Sequence, residues 1–346
     1  MIDTIRFRIK LSKLQQDLVK SRSVETSKFD NLKESVLFKI YRTDLYLGSF
    51  DKNINLFLSE SNPEYCFLEF SIPKYYYGHN VYLFYTDKLE FALNSINKDL
   101  FNFFGDFPSF VDWEIFRLDI CYAWKFLNES IAGNVLEVLR SYKISRKKVL
   151  NYDTSIMQVG STYSIKWYLK KPEFYYHDFT NLVHNHREAY AYNTSVVAEG
   201  VLRFEVTMRH SHLERIFGRG RITYKDINDG FCIEYLKLYF QKFFHGKSPK
   251  FMTSQTVLNK LLNKYNKELA LRLYGFYLAF HSLTKTEQKE YLTHMTKTTA
   301  WRLQEQLKDA GIGIPSGVKI PPIEFEIPSR YVVNSSNVAI GDSRCD

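Results

Sequence analysis

The residues Phe116-Arg117-Leu118-Asp119-Ile120-Cys121-Tyr122 are the stretch around which the rest of the chain is organised. They favour a β-strand, in which successive side chains point to opposite faces. Leu118 and Ile120 therefore share an apolar face, and Arg117 and Asp119 share the other. A guanidinium and a carboxylate in the middle of a buried strand are costly unless they pair or hold a ligand. The stretch predicts a central strand that carries a polar site.

A second stretch, residues 202–206, repeats this arrangement with Arg203 and Glu205 on one face. If the two strands are neighbours, two carboxylates and two guanidinium groups meet on one patch of sheet. Paired carboxylates of this kind, Asp119 and Glu205, hold a divalent cation, and flanking arginines hold phosphate. The alternative is a pair of internal salt bridges, Arg117 with Glu205 or Arg203 with Asp119.

The composition favours an anionic partner. The chain has 346 residues, a formal net charge of +9 and 25 tyrosines. Nucleic acid is the commonest partner of a basic chain, and tyrosine side chains stack on bases. Charge alone does not decide the matter, because many basic proteins bind no DNA.

Several patterns are absent from the sequence. The N-terminus has no signal-peptide pattern, and no apolar run approaches the ~18 residues of a membrane span. No phosphate-cradling GxxxxGK[ST] motif occurs, so ATP-driven helicase activity is not expected. The four cysteines form no CxxC pair, which favours a reducing compartment over a zinc or disulfide framework: Cys66, Cys121, Cys232 and Cys345.

The order of elements predicts an α+β fold, with an antiparallel sheet and helices on one face. Strands are expected at residues 2–10 and 65–72, a hairpin at 36–50, and helices at 86–104 and 131–141. Helical spacing dominates after about residue 226. We therefore predict three parts: an α+β domain at 1–226, a helical domain at 227–315, and an extended or disordered tail at 316–346.

The stretch 161–173 contains a candidate nucleophile. Tyr168 and Lys170 are expected to share a strand face with Lys166. A tyrosine beside lysines and a metal can attack a phosphodiester once its phenol loses its proton. We rank Tyr168 first, Tyr163 second and Tyr277 third. The alternative is a surface ladder of tyrosines and lysines.

The histidines give weaker signals. His79 follows a predicted tight turn, where it is either a metal ligand or a capping residue. The His-x-His pairs at 184–186 and 210–212 have polar middle residues and lie where loops are expected, so we interpret them as surface histidines.

Two further segments are candidates for contact with DNA. The basic turn at 218–221 offers Arg219 and Arg221 to a phosphate backbone. The second segment is a capped helix at 296–311 that follows a predicted helix at 286–292, an order typical of a helix-turn-helix. An ordinary helical hairpin is an equal alternative. The exposed residues of this second helix that we expect to contact DNA are Lys297, Thr298, Thr299 and Arg302.

Several of these pieces, taken in order, resemble the replication initiators of filamentous phages, the gene II/X type of phage and plasmid replication protein. The resemblance covers residues 1–315, apart from 216–226. It rests on Met1-Ile2-Asp3, Gly78-His79-Asn80-Val81, Arg117-x-Asp119, Tyr168-Leu169-Lys170-x-x-Glu173, Arg203-Phe204-Glu205, Tyr274-Gly275-Phe276-Tyr277 and Trp301-Arg302 followed by Gly311-x-Gly313-Ile314-Pro315.

The resemblance implies a nuclease-like domain that nicks one strand of a circular origin and later rejoins the displaced strand, through a tyrosine–DNA intermediate in rolling-circle replication. It implies Mg²⁺ or Mn²⁺ on Asp119 and Glu205, with His79 as a possible further ligand. Arg117, Arg203 and Lys170 would hold phosphate oxygens. The implied partners are the double-stranded origin, the displaced single strand, and the host helicase and polymerase in the bacterial cytoplasm. Two other hypotheses are a non-catalytic origin-binding regulator and a single-strand nucleic-acid-binding protein.

Overall fold

The computed structural model describes residues 1–30, 35–50, 52–59, 62–126, 128–140, 142–244, 254–282, 290–310 and 312. Ten strands are present: β1 (Ile2–Lys10), β2 (Val24–Asp30), β3 (Ser35–Leu47), β4 (Lys52–Ser59), β5 (Tyr65–Ser71), β6 (Glu114–Lys125), β7 (Lys148–Tyr152), β8 (Ser155–Val159), β9 (Tyr163–Leu169) and β10 (Val201–Arg209).

The helices follow the same chain order. They are α1 (Lys13–Ser21), α2 (Ile72–Tyr77), α3 (Leu89–Phe104), α4 (Glu129–Leu139), α5 (Lys170–Phe174), α6 (Thr180–His184), α7 (Glu188–Ala198), α8 (His210–Phe217), α9 (Asp229–Phe243), α10 (Ser254–Lys264), α11 (Lys267–Ser282) and α12 (Lys297–Asp309). A π-helical turn, Tyr175–Phe179, joins α5 to α6.

All ten strands belong to one antiparallel sheet, in the order β2-β3-β4-β5-β1-β6-β10-β9-β8-β7. The predicted α+β class with an antiparallel sheet is thus confirmed. The strand with Arg117 and Asp119 is β6, and it lies between β1 and β10. The strand with Arg203 and Glu205 is β10, so the two Arg-x-acid strands are neighbours.

One face of the sheet carries the main hydrophobic core. Leu118 and Ile120 of β6 are fully buried there with the apolar sides of α3, α4 and α9. Trp167 of β9 lies at the centre of this packing, with ring centroids 4.5 Å from Phe204 and 5.4 Å from Phe243 of α9. The predicted alternation of apolar and charged residues therefore separates the two faces of the sheet.

The opposite face is polar, and helices cover one end of it. A separate small core joins α5, α6 and α7 to Val81 in the loop that follows α2. Helices thus pack on both faces, whereas we predicted them on one. The polar segment 172–197 forms most of these covering helices.

The predicted hairpin at 36–50 is instead one long strand, β3, which pairs with β2 on one side and β4 on the other. The chain turns only at its end, where Gly48 adopts a φ of 77°. The pairing of β3 with β2 and β4 depends on partner strands, which local sequence does not reveal.

Helix α9 packs on the sheet, so the first hydrophobic core extends to Phe244. A second core is formed by α10, α11 and α12. Helix α12 begins at the predicted Thr296, whose side chain accepts a hydrogen bond from the Thr299 amide. The first helix of the predicted helix-turn-helix falls largely outside the described residues, and the predicted tail at 316–346 lies outside them entirely.

Candidate active site

The polar face of the central strands gathers charged and hydroxyl side chains in one place. The cross-strand register sets Asp119 opposite Thr207, Glu205 opposite Cys121 on β6 and Lys166 on β9, and Arg203 opposite Tyr168. Residues opposite one another in a sheet share a face. The two carboxylates predicted to meet are therefore diagonal neighbours on adjacent strands.

Asp119 is held by Arg117 of its own strand. Arg117 Nε donates to Asp119 Oδ1 at 2.9 Å and Nη2 donates to Oδ2 at 2.5 Å, and Nη1 reaches Glu69 at 3.4 Å. Burial raises the pKa of Asp119 to about 6, although the neighbouring guanidinium favours its charged form. The cross-strand salt bridges considered as the alternative, Arg117 with Glu205 and Arg203 with Asp119, are not formed, and Arg117 pairs with Asp119 within β6 instead.

Glu205 is joined to Tyr168. The Tyr168 hydroxyl donates to Glu205 Oε2 at 3.1 Å. Burial, followed by the charges of Asp3 and Asp119, raises the pKa of Glu205 to about 7. Burial and the Glu205 charge also raise the pKa of the Tyr168 phenol well above its ordinary value. The pair is therefore a protonated phenol hydrogen-bonded to a carboxyl group that changes charge near neutral pH.

Two lysines flank the Tyr168 ring, as predicted. Lys166 Nζ lies 4.3 Å from the ring centroid and Lys170 Nζ lies 5.3 Å from it. Lys166 comes from β9 itself, whereas Lys170 is the first residue of α5, because the strand ends at Leu169. These two positive charges face the ring that would become a phenolate.

Asp3 is a third carboxylate at the site, and our sequence reasoning gave it no role. It is 5% exposed and accepts a hydrogen bond from Asn80 Nδ2 at 3.0 Å. The alternation of residues 2–10 predicted Asp3 on the face of Ile5. A register irregularity between Ile2 and Ile5 places Ile2 opposite the buried Ile120 instead, and Asp3 joins the polar groups. The only signal in the sequence was an acidic residue at the start of an otherwise apolar and basic strand.

Arg203 is fully buried and sparsely bonded. Its Nη2 donates to the Val81 carbonyl at 2.8 Å, and its Nη1 lies 3.7 Å from Asp3 Oδ1. Arg203 Nε and Nη1 have no hydrogen-bond partner among the described residues. Buried donors without acceptors cost free energy, so these two nitrogens suit an oxyanion ligand.

Lys170 is held inside the protein. Its ammonium is fully buried, donates to Asn80 Oδ1 at 2.5 Å and also bonds Glu173. Burial lowers the pKa of Lys170 to about 8, while Glu173 opposes that change. The predicted contact of Lys170 with phosphate would require it to leave these partners, whereas its present bonds fix α5 to the loop after α2.

His79 lies in that same loop, and both of its ring nitrogens are engaged. Nδ1 accepts from the Val81 amide at 3.1 Å, and Nε2 lies 2.9 Å from the Tyr190 hydroxyl. Because Nδ1 is an acceptor, the ring proton is assigned to Nε2. The histidine is fully buried. The structure therefore places His79 as a support of the loop and does not bring it to the carboxylates as a ligand.

Tyr163 lies on the other face of β9. It pairs opposite the buried Met208, and its ring is 4.6 Å from that of Tyr239 on α9. His212, which we predicted at the surface, is buried here and bonds the Tyr239 hydroxyl. Of the two leading tyrosines, only Tyr168 shares a face with Asp119 and Glu205.

The predicted DNA-contact residues lie outside this polar face. Arg219 bonds Asp226 and Arg221 lies 3.1 Å from Asp112, both in exposed pairs. On α12, Lys297, Thr298 and Arg302 are exposed, whereas Thr299 is partly buried and bonds the Thr296 hydroxyl. The structure does not bring these two groups of residues to the carboxylates.

The negative charge of three neighbouring carboxylates would favour a divalent cation here: Asp3, Asp119 and Glu205. Asp3 raises the pKa of the other two carboxyl groups, and a cation would relieve this repulsion. In the described part of the chain, no three Asp, Glu, His or Cys side chains are grouped closely enough to hold a metal ion as they stand. Binding would therefore require Asp119 to share or release an oxygen that Arg117 now holds.

A cleft of about 280 Å³ opens beside these residues. It is lined by Arg6, Phe116, Arg117, Met157, Thr207 and Arg209. Thr207 hydrogen-bonds Asp119, so the cleft borders the carboxylates directly. Phe116 offers an aromatic surface that stacks with His210 at a centroid distance of 4.6 Å.

Comparison with known proteins identifies the family. Residues 1–228 match the family described as the N-terminal region of the gene II replication-associated protein of phages. Searches of curated proteins and of solved structures each found no match. Among the described residues, no helix is both long and apolar enough to cross a membrane. Because the match spans the whole sheet and its polar face, the chain belongs to this family of phage replication-associated proteins, the gene II type of replication initiator, and has a role in initiating phage replication.

Proposed function

We propose that the chain is an origin-specific DNA endonuclease that nicks one strand to start rolling-circle replication and rejoins the displaced strand to end it. The observation that carries the proposal is the hydrogen bond between Tyr168 and Glu205, on the face that also holds Asp119 and Arg203. A nucleophile in contact with a base that ionises near neutral pH is the arrangement that covalent catalysis requires.

In the proposed first step, the Tyr168 oxygen attacks the scissile phosphorus, and its proton passes to Glu205. The bond from phosphorus to the 3′-oxygen breaks, and that oxygen takes a proton from water. The products are a 5′-phosphotyrosine and a free 3′-OH that a host polymerase can extend. In the rejoining step a 3′-OH attacks the phosphotyrosine and releases its proton to water, the bond from phosphorus to the Tyr168 oxygen breaks, and the leaving phenolate recovers its proton from Glu205. The covalent link retains the bond energy, so rejoining needs no ATP.

Arg203 is the side chain best placed to hold the phosphate. Arg203 lies opposite Tyr168, and its Nε and Nη1 have no hydrogen-bond partner within the described part of the chain. Arg117 suits this role less, because Asp119 and Glu69 already engage its nitrogens. Tyr168 is only 2% exposed, so a phosphate reaches its oxygen after neighbouring side chains move aside.

Asp119 and Glu205, joined by Asp3, are the residues that would hold Mg²⁺ or Mn²⁺. When bound, the ion would polarise the scissile phosphate and neutralise charge in the transition state. The raised pKa values of Asp119 and Glu205 support this assignment, because they reflect burial and the nearby charge of Asp3, and a bound cation would favour the charged carboxylates. His79 is not carried forward as a ligand, since its nitrogens support the loop.

The partners in this proposal are the double-stranded circular origin, its displaced single strand, and the host helicase and polymerase. The exposed Arg219 and Arg221 and the N-terminal turn of α12 would contact the DNA backbone, in a salt-dependent manner. The proposal places these events in the cytoplasm of the bacterial host.

A second candidate is an origin-binding regulator without nuclease activity. The bidentate contact between Arg117 and Asp119 favours it, since a carboxylate whose oxygens are both engaged needs no metal ion. This candidate predicts tight origin binding and no strand cleavage with either Mg²⁺ or Mn²⁺.

One experiment separates the two candidates. Supercoiled phage DNA is incubated with the protein and Mn²⁺, then resolved on a denaturing gel with and without protease. Relaxed circles that carry attached protein support the endonuclease, whereas intact supercoils retained in a mobility shift support the regulator. Tyr168→Phe should abolish the adduct while Tyr163→Phe, its matched control on the opposite face, retains it.

A further inference from the structure

A group of three cations lies at one end of the sheet, and one of them borders the cleft. Arg209 is the last residue of β10 and also lines the cleft. Lys147 precedes β7, and Lys242 lies on α9. We call Lys147, Arg209 and Lys242 the edge cluster.

Two members of the edge cluster are fixed around one turn. Lys147 Nζ donates to the Tyr163 carbonyl at 2.8 Å and lies 3.3 Å from the centroid of the Tyr163 ring. Arg209 Nη1 donates to the Gly160 carbonyl at 2.7 Å, and its Nη2 reaches Ser164 Oγ at 3.2 Å. Neutral oxygens and a ring face therefore position both cations.

The edge cluster has no counter-ion within the described residues. The charged groups that act on Lys147 are Arg209 and Lys242, both cations, and together with partial burial they lower its pKa to about 8. His212, beneath the cluster, has its pKa lowered by burial and by Arg215, Lys242 and Lys147. Cations held together by neutral groups repel one another, so an anion is the ligand that this surface suits.

The position of the edge cluster indicates which kind of anion it binds. Glu205, Thr207 and Arg209 are alternate residues on the same face of β10. From Glu205 to Arg209 the strand advances roughly 13 Å, a rise of ~3.3 Å for each residue. Arg209 therefore ends the row of polar-face residues that begins at Glu205. Lys147 and Lys242 approach the same end of the sheet from the side of the Tyr163 ring, at 3.3 and 5.7 Å from its centroid.

We propose that the edge cluster binds backbone phosphates of the DNA strand that leaves the active site through the cleft. The inference rests on the proposed function, because it takes DNA as the ligand. The edge cluster would be a third site of contact with DNA, besides the basic turn at 218–221 and helix α12.

Binding of the full chain to a fluorescein-labelled single-stranded DNA of about 20 nucleotides tests the proposal. Anisotropy is measured in EDTA, so that no cleavage occurs, over about 50 to 200 mM NaCl. Lys147→Gln should weaken binding and reduce the slope of log K against log[NaCl] by about 0.7, the value for one lost phosphate contact on a single strand. Lys242→Gln should act in the same direction, and it decides the question if Lys147→Gln does not fold.

One further variant serves as a control, and another is a second test of the edge cluster. Lys13→Gln removes one charge from a lysine that is 76% exposed and paired with Asp17 on α1, so the slope should stay unchanged. Gly160→Ala keeps the charge, but its Cβ would collide with Lys147 Nζ and lie 2.8 Å from the Tyr163 carbonyl oxygen, so it should weaken binding.

If Lys147→Gln, or Lys242→Gln in its place, changes the slope no more than Lys13→Gln does, the edge cluster is not a phosphate site. The nicking assay on the wild-type protein is independent of this result. A wild-type protein that does not nick, combined with a lower slope for Lys147→Gln, would refute the nuclease and retain the DNA contact.

Discussion

Replacing Glu205 by glutamine is expected to stabilise the folded chain above about pH 7, although the same change should abolish nicking. Burial beside Asp3 and Asp119 raises the pKa of Glu205 from an ordinary value of 4.5 to about 7. Glutamine has nearly the same shape, stays neutral and can still accept the Tyr168 hydroxyl hydrogen bond. The substitution therefore removes a buried charge without leaving the phenol unpaired.

The sign and size of the change in the free energy of unfolding follow from the protons that the folded and unfolded chains bind. Between pH 4.5 and about 7 the folded chain holds the Glu205 proton and the unfolded chain releases it, so the wild-type protein loses stability as the pH rises through this window. Each pH unit corresponds to about 1.4 kcal/mol. The full loss, complete above pH 7, is therefore roughly 3 kcal/mol.

Urea unfolding in EDTA at about pH 4.5 and about pH 8 gives the free energies to compare. Glu205→Gln should match the wild-type protein at the lower pH and exceed it by about 2 to 3 kcal/mol at the higher pH. The exposed Glu234→Gln on α9 is the matched control, with an expected change below ~0.5 kcal/mol. Equal destabilisation by Glu205→Gln at both pH values would refute the reasoning. Adding Mg²⁺ at pH 8 should stabilise the wild-type protein and not Glu205→Gln.

Three further predictions follow from the same contacts. Lys170→Met should lower the free energy of unfolding by about 3 to 5 kcal/mol, because it leaves Glu173 without its buried partner; the double change with Glu173→Gln should recover part of this loss in urea unfolding. Gly78→Ala should cost at least ~1 kcal/mol in the same assay, since Gly78 has a φ of 77° and an added Cβ would collide with Phe50. Single-turnover nicking rates with Mn²⁺ should rise with pH as Glu205 loses its proton, with a midpoint below about 7 because a bound cation favours the carboxylate; a rate independent of pH below 7 would exclude Glu205 as the base.

The faces of the central strands could be predicted from the sequence, because alternation within a strand is a local property. Arg117 and Asp119 separate from Leu118 and Ile120 in the structure as the period of two requires. The same local rule failed at Asp3. An irregularity in the pairing of β1 with β6 interrupts the alternation there, and such a defect depends on the partner strand.

Which charges pair with which could not be predicted, because that depends on the register between strands. A shift of one residue between β6 and β10 would have put Asp119 on the opposite face from Glu205. The role of His79 could not be predicted from the sequence either. Its ring nitrogens bond the Val81 amide and a tyrosine far along the chain, Tyr190, and no local pattern specifies that contact.

The most direct test of the central claim is to identify the amino acid that becomes attached to DNA. Nicked circles formed with Mn²⁺ are digested with protease and nuclease, and mass spectrometry locates the nucleotide-modified tyrosine. Attachment at Tyr168, absent from the Tyr168→Phe protein, is the predicted result. Attachment at Tyr163 or another tyrosine, or nicking without any covalent link, would contradict the assignment of Tyr168 and Glu205 as nucleophile and base.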